Sequence, residues 1–194
     1  MNRSTFTTKR IVMTALLAAL TVAGSAIRIT LPISIAGTTS FHLGNILCAL
    51  SGILLGPWLG GFAAGLGSAI YDLMNPLYAP ECWITFITKA AYGLVVGLIA
   101  WKHRRPWHAR ESKTYVRLYI ATIAGALTYA LLYLSKGFFY DGLLLGGLTA
   151  DAALVTIVAK LPATTFNAVV AVIGAPLLSI AISKALDTAH LSLD

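Results

Sequence analysis

The feature that most constrains this chain is its succession of long apolar runs with almost no charge inside them. Of its 194 residues, 58% are hydrophobic and only 11% are charged, whereas soluble domains carry about 25% charged residues. About 20 apolar residues in a helix cross the hydrocarbon layer of a bilayer. We therefore predict an integral membrane protein that forms a single domain over residues 1–194. The apolar runs are Ile11–Ile27, Leu43–Met74, Trp83–Trp101, Tyr115–Leu134 and Ala163–Ile182.

The basic residues predict how the chain is oriented in the membrane. The formal net charge is +7, and the excess falls on segments that flank the apolar runs on one predicted side. Because loops rich in Lys and Arg stay in the cytoplasm, we expect both termini there. No basic patch is interleaved with stacking aromatic residues, so no nucleic-acid partner is expected. The basic residues on this side are Arg3, Lys9, Arg10, Lys102, Arg104, Arg105, Arg110, Lys113, Arg117 and Lys184.

The second apolar run, Leu43–Met74, is too long for a single compact span. It contains a turn signal, Gly56-Pro57 followed by Gly60-Gly61, and glycine and proline are the strongest local breaks in a helix. We interpret the run as two compact spans joined on the basic side. A re-entrant hairpin is the alternative, because each arm is short for a crossing.

A further apolar segment, Gly142–Ala159, is harder to assign. Asp151 lies at its centre, where a charge costs about 2.5 to 3.5 kcal/mol in a transmembrane helix. We interpret the segment as an external cap made of partly helical loop. The predicted fold is thus an all-α membrane protein with six transmembrane helices.

Polar and ionisable side chains collect at the predicted outer ends of the helices. His42 and Asn45 are three residues apart and so share one helix face. Because such groups in a membrane face the bundle interior or a cavity, we predict a binding site for a small polar solute. The alternatives are interfacial anchoring by the tyrosines and a structural ion pair between Asp72 and Lys89. Two further faces have the same character, Tyr129–Tyr133–Lys136 and Lys160–Thr164–Asn167.

Small residues form a second pattern. Ala15, Ala19 and Ala23 recur every four residues and leave a shallow stripe on which another helix can pack closely; packing within the chain is the alternative. Cys48 and Cys82 have no metal-ligand spacing, and we expect no disulfide between them. Since no metalloprotease, esterase, redox or phosphate-loop motif is present, we expect no catalytic residue, metal or cofactor.

Several blocks along the chain are similar to those of one family of membrane proteins. The block "TALLAALTVAG" is similar to that family's AxxxA first helix, and "FHLGN" with "GILLGPWLGG" to the loop and paired helices of one subfamily. The blocks "GSAIYDLMNPLY", "FITKAAYGLVVGL" and "KLPATTFNAVVAVIGAPLL" are similar to its later segments. On these blocks the chain resembles the substrate-binding S components of energy-coupling factor (ECF) type ABC transporters, nearest the hydroxymethylpyrimidine/pyridoxine-type subfamily.

The resemblance implies a six-helix subunit of the bacterial plasma membrane that is not an enzyme and that captures a vitamin-like small molecule outside the cell. Its implied partners are a transmembrane coupling subunit of the EcfT type and two cytoplasmic ATPases. The stripe Ala15, Ala19 and Ala23 would dock on the coupling subunit, on which the S component topples. Asn45 is a departure, because relatives often have aspartate there. The family's ligand sites imply solute contacts by Phe41, His42, Asn45, Tyr71, Asp72, Tyr78, Trp83, Lys89, Lys136, Tyr140 and Asn167.

The subfamily resemblance implies hydroxymethylpyrimidine or a pyridoxine-like compound as the solute, with aromatic rings around it and His42, Asn45 and Lys89 on its hydroxyl and amino groups. Cobalamin stays open, since the long external segment from Lys136 to Pro162 could roof a larger cavity. Riboflavin, folate and pantothenate are further alternatives. Outside this class, the chain could be a stand-alone carrier or channel, or an intramembrane enzyme.

Overall fold

Six α-helices and one β-hairpin make up the parts of the chain that the computed structural model describes, residues 7–32, 38–101 and 112–188. A 3-10 helix, Ala79–Glu81, precedes the fourth helix, and a π-helical segment, Gly137–Leu145, extends the fifth. In chain order the elements are α1 Thr8–Ala26, β1 Arg28–Pro32, β2 Thr38–His42, α2 Gly44–Leu55, α3 Pro57–Leu73, α4 Cys82–Ala100, α5 Ser112–Lys136 and α6 Ala150–Thr188.

Four helical stretches of the described residues are long and apolar enough to cross a membrane, and α2 is a shorter apolar helix. Large apolar side chains on the outer faces of these helices are exposed, among them Leu98, Leu127 and Leu131, as expected for helices that meet lipid. The prediction of a multi-helix membrane protein is confirmed. The four stretches are Thr8–Ala26, Ala79–Ala100, Thr114–Leu145 and Ala150–Leu186.

The break between α2 and α3 lies at Gly56-Pro57, as the sequence predicts. Gly56 has a positive φ of 83°, which favours glycine, and the Trp101 ring lies 3.0 Å from the place of its missing Cβ. Pro57 starts α3 at the position where a helix needs no backbone N–H. The second part of the predicted turn signal is wrong, because Gly60-Gly61 lies inside α3.

Glycines let α2, α3 and α4 pack backbone to backbone. The place of a Cβ on Gly61 is 2.8 Å from the Ala90 carbonyl oxygen, and that on Gly93 is 2.9 Å from the Gly60 carbonyl oxygen. Any side chain at these positions would push the helices apart. Small residues have this role between membrane helices, where lipid supplies no hydrophobic driving force for association.

The prediction for Gly142–Ala159 is wrong in its boundaries. The chain breaks instead at Gly146-Gly147, where Gly147 has a φ of 58°, and α6 then runs unbroken from Ala150. Asp151 lies in the first turn of α6 and is exposed. A carboxylate there is favoured by the positive end of the helix dipole, so the cost of a charge at the centre of a transmembrane helix does not apply to it.

One further difference concerns a predicted loop. The segment that follows α1 forms an antiparallel hairpin, in which Arg28 pairs with His42 and Thr30 with Ser40; the sequence had predicted only a loop. The basic segment between α4 and α5 was predicted as the main cytoplasmic loop, and its residues 102–111 lie outside the described residues.

Candidate functional site

A cavity of about 400 Å³ opens at one end of the bundle. Its wall comes from the end of α1, the hairpin, the end of α3, the 3-10 helix, the first half of α4, the end of α5 with the π-helical segment, and α6. These are the helix ends opposite the α2–α3 turn. The cavity is therefore built from many separate segments of the chain, all of which the helix directions bring to one end.

Arg28, at the start of β1, lies among aromatic rings on the wall. Its guanidinium carbon is 4.3 Å from the centre of the Tyr71 ring and 5.1 Å from that of Tyr78. Its Nε donates a hydrogen bond of 3.0 Å to the Ser25 carbonyl at the end of α1. Cation–π contacts of this kind stabilise a cation that has little access to water.

Lys89, one to two turns into α4, is a buried cation on the wall with an exposed fraction of 5%. Its Nζ donates to the Asn45 Oδ1 and lies 3.7 Å from the centre of the Tyr129 ring. No carboxylate of the described chain comes within ion-pair distance of it. The alternative of a structural ion pair between Asp72 and Lys89 is therefore wrong.

Three tyrosines form a stack that runs from the core to the cavity. The rings of Tyr92 and Tyr129 are 5.8 Å apart and inclined by 22°, and those of Tyr129 and Tyr133 are 5.7 Å apart and inclined by 23°. Tyr92 is fully buried, whereas Tyr129 and Tyr133 line the cavity. Stacked rings fix one another's orientation, so this part of the wall is preformed.

Four charged side chains follow one another along the wall as a row of ion pairs. Lys136 Nζ lies 2.5 Å from Glu81 Oε2 and 2.6 Å from Asp141 Oδ1. Lys160 Nζ lies 3.1 Å from Asp141 Oδ2. Two lysines and two carboxylates have no net formal charge, and together they join the 3-10 helix, α5, the π-helical segment and α6.

The rest of the wall carries an excess of positive charge. Arg28, Lys89 and Asp72 all line the cavity, and within the described chain none of them has an ion-pair partner. Two positive charges minus one negative charge leave a formal charge of +1. Burial, together with the positive charges of Lys89 and Arg28, lowers the pKa of His42 well below its ordinary value, so its imidazole is neutral near pH 7 and adds nothing to that sum.

The structure brings seven of the eleven predicted solute contacts to the cavity wall and leaves four away from it. Asn45 is buried behind the wall and accepts the hydrogen bond from Lys89. Phe41 packs edge to face on Phe166, with ring centres 5.0 Å apart. Trp83 is exposed and touches the Tyr140 ring edge to face. The seven residues on the wall are His42, Tyr71, Asp72, Tyr78, Lys89, Lys136 and Asn167.

Sequence reasoning did not assign several wall residues. Arg28 was assigned no role in the predicted site, although an arginine directly after an apolar helix is a signal of its own. On α4, Thr85, Thr88 and Lys89 share a face by their spacing of three and four residues, and all three line the cavity. Ser68 has the same relation to Asp72 on α3. Polar residues that share a helix face with a predicted site residue are therefore the signal by which these wall residues could have been predicted.

The alanine stripe lies on the face of α1 that points away from the rest of the bundle. Ala15, Ala19 and Ala23 are all exposed, whereas Leu17 and Thr21 are buried in the bundle. Packing of the stripe within the chain, the alternative considered above, is therefore excluded for the described residues. The stripe is free to meet lipid or another protein.

Comparison with known proteins adds three similarities. The model of the family described as the S component of ECF-type riboflavin transporters matches residues 5–184. An uncharacterized protein in a gap 3′ region of Pyrococcus woesei is 32% identical over 124 residues, which cover 64% of this chain and 74% of that protein. A UPF0397 protein of Streptococcus gordonii is 30% identical over 130 residues, which cover 66% of this chain and 67% of that protein. The family match includes every segment that lines the cavity.

Proposed function

Because the chain belongs to the family of S components of ECF-type riboflavin transporters, we propose that its cavity captures a hydroxylated heteroaromatic vitamin from outside the cell. S components are the substrate-binding subunits of vitamin uptake transporters and are not enzymes. As a general property of the family, they work with a coupling subunit and ATPases. The predicted family of ECF-type S components is thereby confirmed; the hydroxymethylpyrimidine/pyridoxine-type subfamily is not, and the choice of solute belongs to the proposal.

The observation that carries the proposal is a polar, aromatic cavity within an otherwise apolar bundle. Hydrophilic groups are costly inside a membrane protein and are kept there for function. The wall combines rigid tyrosines with hydroxyl, amide and charged groups, a composition typical of small-molecule sites, in which a few polar groups orient a ligand held by apolar and aromatic surface.

The size of the cavity is compatible with riboflavin and excludes the largest of the vitamins considered. About 400 Å³ lies in the lower part of the range of roughly 300 to 1,000 Å³ that is usual for small-molecule sites. That volume suits a fused aromatic ring with a short hydroxylated chain and argues against cobalamin, which is far larger. The family name points to the same solute.

In this proposal Lys89 binds an electron-rich atom of the ring system. Its ammonium group has three donors, of which one is taken by Asn45. A buried cation without a carboxylate partner is unfavourable, so a ring carbonyl or a ring nitrogen with negative character stabilises it. The rings of riboflavin carry such atoms, and its chain hydroxyls suit the serines and threonines of the wall.

A pyrimidine or pyridine precursor, the hypothesis from the sequence, is the second candidate. The observation in its favour is Asp72, a wall carboxylate that forms no ion pair with a described residue. A carboxylate accepts hydrogen bonds from an exocyclic amine or a protonated ring nitrogen. Hydroxymethylpyrimidine has the former, and pyridoxine the latter when it is protonated.

The proposal includes the arrangement in the membrane. All six helices cross it, with α2 and α3 as compact spans, the cavity at the outer face and both termini in the cytoplasm. The stripe Ala15, Ala19 and Ala23 docks on the coupling subunit, and the S component topples to carry the occupied cavity inward while two partner ATPases hydrolyse ATP. A shallow, exposed stripe of small residues supports this docking role.

The test is direct binding of riboflavin to the purified chain in detergent. Quenching of flavin fluorescence measures how much riboflavin is bound. We expect one site per chain, competition by excess hydroxymethylpyrimidine or pyridoxine only if the second candidate is correct, and a loss of affinity in Tyr133→Ala. Tyr115→Ala, an exposed tyrosine on the same helix, is the matched control. If none of the three compounds binds and mass spectrometry detects no retained small molecule, the proposal is wrong.

A further inference from the structure

The side-chain amide of Asn167 is bound at both ends by the backbone of β2. Its Oδ1 accepts the backbone N–H of His42 at 2.9 Å, and its Nδ2 donates to the Ser40 carbonyl at 2.7 Å. The residue has an exposed fraction of 6%. These bonds use two of the amide's four hydrogen-bonding positions and fix its orientation against the strand. We infer that Asn167 is a positioning residue that fastens the hairpin over the cavity, and not the solute contact that the sequence predicts.

A second contact joins the same two elements. Next to Asn167 on α6, the Phe166 ring meets Phe41 of β2 edge to face at 5.0 Å. The attachment thus has a polar half and an aromatic half, on consecutive residues of each element. A two-stranded hairpin is marginally stable by itself, so contacts of this kind to α6 decide where the hairpin lies.

The fastening acts on the solute site through β2. Thr39, Ser40 and His42 all line the cavity, and the bond from Asn167 holds the backbone of His42. The Nδ1 of that histidine is buried and has no hydrogen-bond partner in the described part of the chain. Release of the Asn167 amide moves this strand off the wall and opens the cavity. This inference rests on the proposed function only in the step from hairpin position to solute release.

Two variants of Asn167 test the inference in the full-length chain in detergent. Asn167→Ala removes both hydrogen bonds and leaves space, whereas Asn167→Leu removes them and retains the volume. Thr165→Ala, at an exposed neighbour on α6, is the control. Hydrogen exchange is measured without solute, and association and dissociation rates are measured with riboflavin, hydroxymethylpyrimidine or pyridoxine, whichever binds.

We expect both variants to exchange the amides of residues 38–42 faster, while α2, α3 and α4 exchange as in the wild type. Dissociation of the solute should accelerate about five- to thirty-fold, the factor expected for two modest hydrogen bonds, and association should change less than threefold. The Thr165→Ala control should leave both measurements unchanged.

Three results would overturn the inference. Unchanged exchange at residues 38–42 in both variants means that the amide does not hold the hairpin. Weaker binding with unchanged exchange means that Asn167 contacts the solute directly. Faster exchange that extends through α2–α4 means a general loss of packing. If the wild type binds none of the three compounds, the proposed function fails, and the exchange measurement still decides whether Asn167 holds the hairpin.

Discussion

The two ends of the helix bundle are built in opposite ways. At the α2–α3 turn, which we call the packed end (Arg10, Ile53–Gly61 and Gly93–Trp101), helices meet through glycines and backbone atoms. The Leu55 carbonyl at the end of α2 accepts a hydrogen bond of 2.7 Å from Arg10, and the Ile53 carbonyl accepts one of 2.8 Å from the Trp101 indole. At the cavity end, formed by the residues that line the cavity, buried charges and tyrosines surround an open space.

This difference separates the part of the molecule that holds the fold from the part that binds. Close packing is the main source of cohesion between helices in lipid, and the packed end has it. Buried charges are costly unless they are well paired, and the cavity end retains Lys89 without a carboxylate partner. We therefore expect substitutions at the packed end to lower stability, and substitutions at the cavity end to lower binding with little loss of stability.

The largest effect on the isolated protein is expected for Gly97→Leu at the packed end. The backbone of Gly56 and Pro57 occupies the place of a side chain at this position, so α3 and α4 must separate. Overpacking in a close-packed core costs about 1 to 3 kcal/mol, and more where backbone must move. Thermal unfolding in detergent should show a large loss of stability or no folded protein. Leu98→Phe adds volume at the neighbouring exposed residue and should have little effect; equal losses in both variants would contradict the distinction between the two ends.

The next effect is expected for Lys89→Met at the cavity end. Methionine retains the length of the side chain and removes the cost of burying a charge, but it leaves the buried Asn45 Oδ1 without its donor. The two effects oppose each other, so the stability of the solute-free protein should change by no more than about 1 kcal/mol in either direction. Solute affinity should fall at least about tenfold, which corresponds to about 1.4 kcal/mol and is within the range for a hydrogen bond to a charged group. Calorimetry on the purified variant gives both quantities. Lys184→Met, at an exposed site on α6, is the control, and retained affinity in Lys89→Met would remove Lys89 from the site.

The contrast between the two ends also explains what the sequence predicts and what it does not. Hydropathy predicts the helices, because the apolar pattern of each helix extends over many consecutive residues. The hairpin is not predictable in this way, since it is short and is held by Asn167, which lies 125 residues from its partner His42. The sequence places Asn45 and Lys89 at the same end of the bundle, but the bond between them joins residues 44 positions apart. The sequence therefore gives no sign that the Asn45 side chain already accepts a hydrogen bond from Lys89 and is not a solute contact.

A smaller effect is expected from pH, through His42 in β2. Its pKa in the folded protein lies well below the ordinary value of 6.5, because of burial and the nearby positive charges of Lys89 and Arg28. The unfolded chain therefore binds a proton below about pH 6.5 that the folded chain does not bind. Stability is fully present above that pH and falls as pH is lowered below it, by at most about 1.4 kcal/mol per unit.

Thermal unfolding of the solute-free protein between pH 7.5 and 5 measures this dependence. His42→Gln should flatten the slope, since glutamine does not titrate, whereas His103→Gln, at a histidine distant in sequence, should leave it as in the wild type. The same slope in wild type and His42→Gln would show that other groups cause the loss of stability at low pH.

The smallest effect on the isolated protein is expected on the outer face of α1, which belongs to neither end. Ala15→Trp with Ala19→Trp adds two large side chains to exposed positions of the stripe, so folding and solute affinity should stay within about twofold of the wild type. Uptake by cells that also contain the coupling subunit and the ATPases should be abolished, because helices that meet at small residues cannot approach each other closely when a tryptophan lies between them.

The control is Leu127→Trp with Leu131→Trp, which has the same spacing on α5, at positions that are 66% and 69% exposed. Uptake by this control should persist; if the two double variants lose uptake equally, bulk on any lipid-facing helix is harmful and the stripe has no special part in docking.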